Sequence, residues 1–288
     1  MNLKIDNIDF NTNSLARLIG VASRHSNRLK ILNHTPIVMK DASYLFRLCR
    51  NDVILDVSDL KLTGVCNAAN MFIYIRCKII ASNMDLSGMA DLRSMFATCE
   101  SRDIEVNDLI ANNSADTVCM FEACSYLKKV DLSGSQLDSC ESMIRMFEYC
   151  ANLEEVNMAG IEAKNVTSLR DMFFQCRHLK KVNLSSFNTS KVQDVSGMFY
   201  LCKMLENLDL KNFGLENVET MGSMFRECCG LRDLDISGLK FNGKHEIYTG
   251  NMFRDCNSLR RVVMPKDDYS RSIILAQLEK DGIQCETI

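Results

Sequence analysis

"MFEYCANLEEVNMAG" occupies Met146–Gly160, and "MFFQCRHLKKVNLSS" follows at Met172–Ser186. Each sets a cysteine three residues after a Met-Phe pair, then a short stretch in which Val alternates with polar residues. The aromatic is a ruler for the rest of the chain. Phe46, Phe72, Phe96, Phe121, Phe147, Phe173, Phe199, Phe225 and Phe253 are separated by 26, 24, 25, 26, 26, 26, 26 and 28 residues. Met precedes all of them except Phe46, which follows Leu45. Cys49, Cys99, Cys124, Cys150, Cys176, Cys202, Cys228 and Cys256 follow by three, and only the unit of Phe72 has Ile75 there. A period of this length marks a repeat architecture.

Two local periodicities fill each unit. Leu169, Met172, Phe173 and Cys176 stand at i, i+3, i+4 and i+7, which predicts a helix of about two turns. Val182 and Leu184 then alternate with polar neighbours, as in a short strand with one face buried. Met143, Met146, Phe147 and Cys150 with Val156 and Met158 repeat the pattern, as do Met221, Met224, Phe225 and Cys228 with Leu234 and Ile236. One such unit cannot bury its apolar side alone, whereas stacked copies can, so the expectation is a solenoid.

The segments "MFEACSYLKKVDLSGS" (120–135), "MFYLCKMLENLDLKNF" (198–213) and "MFRECCGLRDLDISGL" (224–239) resemble the BspA-like leucine-rich repeat, the bacterial surface-protein repeat of 26 residues. "SSFNTSKVQDVSGMF" (185–199) is close to that family's connecting segment. The resemblance implies an α/β leucine-rich-repeat solenoid of about nine strand-plus-short-helix units, used for protein binding. It covers roughly residues 42–265. Units two and three are irregular, which predicts distortion around 71–110.

The flanks read as caps of a single continuous domain: 1–41 N-terminal, 42–265 solenoid, 266–288 C-terminal. Leu15, Leu18, Ile19 and Ala22 share one helical face, with Asn13 as the expected N-cap. "DDYSRSIILAQLEKDG" opens on an acidic N-cap and stops at Gly282, predicting a helix of about three turns.

The net charge of −3 is unevenly spread: residues 1–50 carry eight Lys/Arg against Asp6, Asp9 and Asp41, hence +5, leaving −8 for the remainder. The acidic body argues against general affinity for nucleic-acid phosphates. No stretch approaches the roughly 18 apolar residues of a membrane helix, and Asp6 and Asp9 stand where a secretory signal would be apolar. Fourteen cysteines in such a chain favour a reducing compartment.

Those cysteines lack the paired spacing of a zinc site, the closest being Cys228-Cys229 and Cys119 with Cys124. Repeat spacing allows occasional disulfide pairs but not a fully bridged ladder. The reading that remains is packing, with Cys as a small polarisable apolar residue on the Met-Phe face. Cys140 shares an apolar column with Val166, Val192 and Val218.

In leucine-rich-repeat geometry the polar strand positions face the concave side. One column is Asp56, Asp131, Asn157, Asn183, Asp209 and Asp235; beside it run Lys129, Glu155, Lys181, Asn207, Asp233 and Arg261, preceded by Lys128, Glu154, Lys180, Glu206, Arg232 and Arg260. Successive repeats juxtapose opposite charges, which predicts cross-strand ion pairs that fix register. The same columns are the surface a solenoid presents to a partner. Asp131, Asn157, Asn183, Asp209, Asp235, Lys129, Glu155, Lys181 and Asp233 are therefore the candidate partner-binding set.

His25, His34, His178 and His245 share no repeat position, and no phosphate-binding or dinucleotide-binding loop is present. No catalytic residue, metal site or cofactor is predicted. The expectation is a monomeric, non-catalytic solenoid that binds a partner protein, without membrane insertion. It would be a bacterial virulence or effector-type protein, cytoplasmic or delivered into a host cell by a non-Sec route. The alternative is a surface adhesin-type repeat protein whose export signal and anchor are absent from the sequence.

Overall fold

The computed structural model describes residues 1–5, 11–50, 52–101, 104–111, 116–244 and 246–288. Asp6, Asp9 and His245 lie outside these.

Twelve short strands stack in parallel along one side: β1 (Asn2–Lys4), β2 (Arg28–Leu32), β4 (Ile54–Asp56), β6 (Lys78–Ile80), β7 (Ile104–Glu105), β8 (Lys129–Asp131), β9 (Glu155–Asn157), β10 (Lys181–Asn183), β11 (Asn207–Asp209), β12 (Asp233–Asp235), β13 (Arg261–Val263) and β14 (Glu286–Thr287). A separate ladder pairs β3 (Ile37–Val38) with β5 (Leu62–Thr63). Register is that of the repeat: Val130, Val156 and Val182 are partners across β8, β9 and β10. A second side carries isolated parallel bridges, from Ser142 through Ser168, Asp194 and Thr220 to Tyr248. The chain is thus the expected parallel solenoid. Residues 1–41 contribute β1 and β2 to the stack as well as a helix.

The Met-Phe segments differ from the short helices that their spacing predicts. Around Phe147 the local backbone bonds span three residues, Met146 N to Met143 O (3.4 Å), Glu148 N to Arg145 O (3.1 Å) and Cys150 N to Phe147 O (3.1 Å), and then two, Ala151 N to Tyr149 O (2.8 Å). Arg145 and Tyr149 have φ of 56° and 60°, the left-handed third position of a type II turn. The segment is a run of tight turns. The reason is where the N–H groups go: those of Arg145, Phe147 and Tyr149 each donate at 2.9 Å to the next coil, at Arg170, Met172 and Phe174. A helix would consume these donors along its own axis; a stack needs them sideways. Since the turns also repeat about every three residues, Met143, Met146, Phe147 and Cys150 still all point inward, fully buried.

The Phe column forms a continuous near-parallel stack from Phe46 to Phe253, with centroid spacing widening from 4.6 Å at Phe46–Phe72 to 5.9 Å at Phe199–Phe225. Each buried ring contributes roughly 1.5–3 kcal/mol. The cysteines do more than fill space. The thiol of Cys150 donates to Phe121 O at 3.0 Å, Cys176 to Phe147 O at 3.0 Å and Cys202 to Phe173 O at 3.2 Å. Cys99, Cys124, Cys228 and Cys256 make the same bond one coil back. Cys140, Val166, Val192 and Val218 are buried together as their shared column predicts.

Two helices close the ends. Helix α1 (Thr12–Ser23) is capped by Asn11, whose side chain accepts from Ser14 N, and not by Asn13; Leu15, Ile19 and Ala22 face inward. Gly20 is required there, because a Cβ would stand 2.9 Å from Leu48 Cβ. Helix α2 (Asp268–Lys280) has Asp267 as its N-cap and ends before Gly282, at φ +72°, as its sequence predicts.

Candidate partner-binding face

In β8 and β11 the middle residue is buried while the first and third project outward, which follows from strand alternation. The predicted set therefore lies on one face, in two rows.

The third-position row carries a structural duty. Asp131, Asn157, Asn183, Asp209 and Asp235 each accept from the backbone N–H two residues on, at Ser133, Ala159, Ser185, Lys211 and Ser237. These are Asx turns that end each strand. Laterally, Asn157 Nδ2 donates to Asp131 Oδ1 (3.1 Å) and Asn183 Nδ2 to Asn157 Oδ1 (3.2 Å). Such side chains retain few acceptors for a partner. The Asp-x-Ser and Asn-x-Ser spacing was the signal for this role.

The first-position row and the residues before it form the predicted ion pairs in part. Lys129 meets Glu155 at 2.8 Å, Lys180 meets Glu154 at 2.8 Å, Lys128 meets Glu154 at 3.9 Å and Arg232 meets Glu206 at 3.6 Å. The hydrogen bond from Lys129 holds the Glu155 carboxyl below its ordinary range, and Glu155 raises the Lys129 ammonium in return. Among the described residues Lys181, Asp233 and Arg261 close no ion pair, although Asp233 and Arg261 are in register on β12 and β13 and the Lys181 charge helps to lower Glu155.

The face is interrupted twice. No ladder joins β7 to β8 or β10 to β11 among the described residues. At the second break the turn side stays bonded, with Phe173 N to Met198 O and Gln175 N to Tyr200 O both at 2.9 Å. Beyond the strands Asn212 Nδ2 still reaches Ser185 O at 2.7 Å. The opening is confined to the strands. It leaves Val182 only partly buried, whereas Val130 and Val156 are closed over. Above it lies an open depression of about 740 Å³, lined by Lys181, Val182, Met204, Asn207, Asp233 and Arg261 among others. A smaller one of about 530 Å³ lies over β8, β9 and β10. Met204, at the rim, is 44% exposed; it belongs to neither predicted row, and nothing in the repeat pattern marks it.

His178 Nδ1 lies 2.7 Å from Ala151 O, a link between coils. Among the described residues no three His, Cys, Asp or Glu side chains are grouped to hold a metal ion, and no helix is long and apolar enough to cross a membrane.

Parallel coils, a stacked aromatic column and an outward polar ladder define a repeat solenoid of the leucine-rich-repeat kind. The chain belongs to the family described as "Mycoplasma protein of unknown function, DUF285", whose model matches residues 40–158 and 141–264. No curated protein matches it. Among solved structures, one described as the crystal structure of the TLR13–ssRNA13 complex is similar with a TM-score of 0.36 and 10% identity. That match covers 91% of this chain and 46% of the other, so the chain spans less than half the length of that structure's chain.

Proposed function

We propose that the chain is a non-catalytic binding solenoid that receives a partner protein on its strand face. The observation that supports this most is the contrast between the two long sides. The turn side spends its backbone donors on neighbouring coils, from Phe46 N to Met71 O through Phe225 N to Met252 O. The strand side presents two rows of outward polar side chains and two open depressions. Extended surfaces of this kind are what repeat proteins use for recognition.

In the same reading the protein is a bacterial member of the BspA-like group, which the Mycoplasma wording of its family supports. It acts as an effector-type interaction protein, in the cytoplasm or inside a host cell. The seven thiols that donate to Phe carbonyls make those bonds only while reduced, which favours a reducing compartment. Thiol titration of freshly purified, denatured protein checks that part: near-complete reactivity is expected, and several bridges would overturn it.

The binding proposal is tested by affinity capture from bacterial and host extracts, using wild type and a variant with Lys129→Glu, Glu155→Lys and Lys181→Glu. The expected result is a set of partners retained by wild type and lost by the variant at unchanged thermal stability. Identical capture by both proteins would overturn the assignment to this face.

A further inference from the structure

Cys49 and Cys77 lie side by side on the first two coils of the Phe column. Cys49 closes the unit of Phe46, and Cys77 stands two residues past Ile75, which holds the ladder place in the unit of Phe72. Seven ladder thiols donate to a Phe carbonyl one coil back. The thiols of Cys49 and Cys77 are instead hydrogen-bonded to each other. Their coils have the narrowest ring spacing of the column, 4.6 Å between Phe46 and Phe72, and Phe46 N donates to Met71 O at 3.2 Å. Directly after Cys77, β6 begins and pairs Lys78 with Ile54 of β4, which keeps the two segments in register. Neighbouring strands stack at about 4.8 Å, inside the roughly 4.4–6.8 Å between Cα atoms that a disulfide needs. The pair is also asymmetric. Cys49 is 9% exposed, whereas Cys77 and the ladder thiols from Cys99 to Cys256 are at most 2%. The hydrogen bond from Cys77 pulls the Cys49 thiol down against its burial, with help from the Arg50 backbone N–H, while the same bond and burial raise Cys77. Cys49 is thus the accessible, thiolate-prone partner, and Cys77 keeps its proton.

We infer that Cys49 and Cys77 form a redox modification site, at which hydrogen peroxide oxidises Cys49 and Cys77 resolves the product as an intramolecular disulfide. The inference stands apart from the strand-face reading proposed above. The Cys49 sulfur, its proton lost to solvent, attacks one peroxide oxygen; the O–O bond breaks and the second oxygen leaves as hydroxide, which takes up a proton to become water. Cys49 is then a sulfenic acid. Cys77 gives up its proton, its sulfur attacks the Cys49 sulfur, and the S–O bond breaks with loss of a second water. Two thiols and one hydrogen peroxide become one disulfide and two waters. The ladder thiols do not compete. Cys124 lies between the thiols of Cys99 and Cys150, but all three are fully buried and already donate to Phe carbonyls, bonds that a bridge would break. The bridge fastens the first coil to the second where Gly20 of α1 packs against Leu48, the residue before Cys49.

The test is hydrogen peroxide treatment of the folded, fully reduced chain below its melting transition. It is run in a Cys66→Ser/Cys229→Ser background, which removes the two exposed thiols. Peptide mapping by mass spectrometry is expected to find Cys49 and Cys77 joined with the loss of two hydrogens, and dithiothreitol should restore both thiols. In Cys77→Ser the reaction should stop at a Cys49 sulfenic acid that dimedone traps. In Cys49→Ser, Cys77 should remain a free thiol. Folded protein in which both thiols stay unchanged, a bridge among Cys99, Cys124 and Cys150 in their place, or dimedone labelling of Cys77 in Cys49→Ser would overturn the site. Mapping of the unsubstituted pair decides the matter even where a variant fails to fold.

Discussion

The backbone N–H of Phe253 donates to Asp281 Oδ2 at 2.8 Å. In each preceding unit the equivalent donor reaches a Met carbonyl of the following coil, as Phe225 N reaches Met252 O at 2.9 Å. The C-terminal cap therefore supplies, from one carboxylate, the acceptor that a further repeat would have provided. Gln277 Nε2 holds the same oxygen at 2.8 Å, and its Oε1 accepts from Thr249 Oγ1 at 2.9 Å.

Replacing Asp281 with Ala leaves the Phe253 donor unpaired at the end of the aromatic column. The expected loss is about 1–3 kcal/mol by urea unfolding, with faster amide exchange at Phe253. Asp281→Asn keeps an acceptor and should recover part of it. Equal stability of Ala and Asp variants would show that solvent can replace the cap.

Cys176 tests whether the thiol ladder acts through its hydrogen bond. Cys176→Ser retains a donor toward Phe147 O, whereas Cys176→Ala leaves that carbonyl with only its bond from Cys150 N and opens a small void, at a cost of about 1–2 kcal/mol. Thermal unfolding should rank wild type above Ser and Ser above Ala. If the thiol were apolar filler only, Ala would equal or exceed Ser.

Gly197 occupies, at φ +63°, the position that Asp171 and Ser223 fill in adjacent coils at 54° and 58°. A Cβ at Gly197 would collide with the Asp171 carboxylate. Gly197→Ala should destabilise by about 1–2 kcal/mol, the usual left-handed penalty. Ser223→Gly removes that penalty but enlarges unfolded-state freedom, for a net gain of about 0.5–1 kcal/mol. Chemical denaturation of both variants checks the opposite signs; matching signs would refute the backbone argument.

Glu148 is 5% exposed, with Arg145 Nε at 3.4 Å. Burial pushes its carboxyl up to about 7 against the pull of Arg145, and Glu122 and Asp171 add to the rise. The unfolded carboxyl titrates near about 4.3, so between there and about 7 the folded state binds more protons. Stability from this group is full below that window and is lost as pH rises through it. Wild type should lose about 1–3 kcal/mol between pH about 4.5 and about 7.5 relative to Glu148→Gln. Parallel pH profiles of the two proteins would contradict this.

The repeat length, the inward columns and the strand register were legible because each is carried by side-chain type at fixed spacing: Phe147, Val156 and Asn157 recur and so must stack. The turns were not. An i, i+3, i+4, i+7 pattern is shared by a helix and by consecutive three-residue turns, and what separates them is left-handed backbone at residues such as Arg145 and Gln175, which their side chains do not announce. On the partner face, alternation places Lys129 and Glu155 outward correctly. It says nothing about the ladder ending at Asn183 and resuming at Asn207, where the local letters follow the same pattern as their neighbours.

That missing ladder also has a mechanical meaning. Coils left unjoined along their strands are free to part there, and the line about which these two part runs by the Phe173–Phe199 contact, with rings 5.4 Å apart and planes within 12°. Bending about this line opens or closes the strand side while the aromatic column stays in register. Under denaturant or tension, two cooperative blocks meet at this seam, and the fraying of one reaches the other through the rings, the turn bonds and the links beyond the strands, where Asn212 reaches Ser185, Asn217 reaches Ser190 and Phe213 stacks on Phe187.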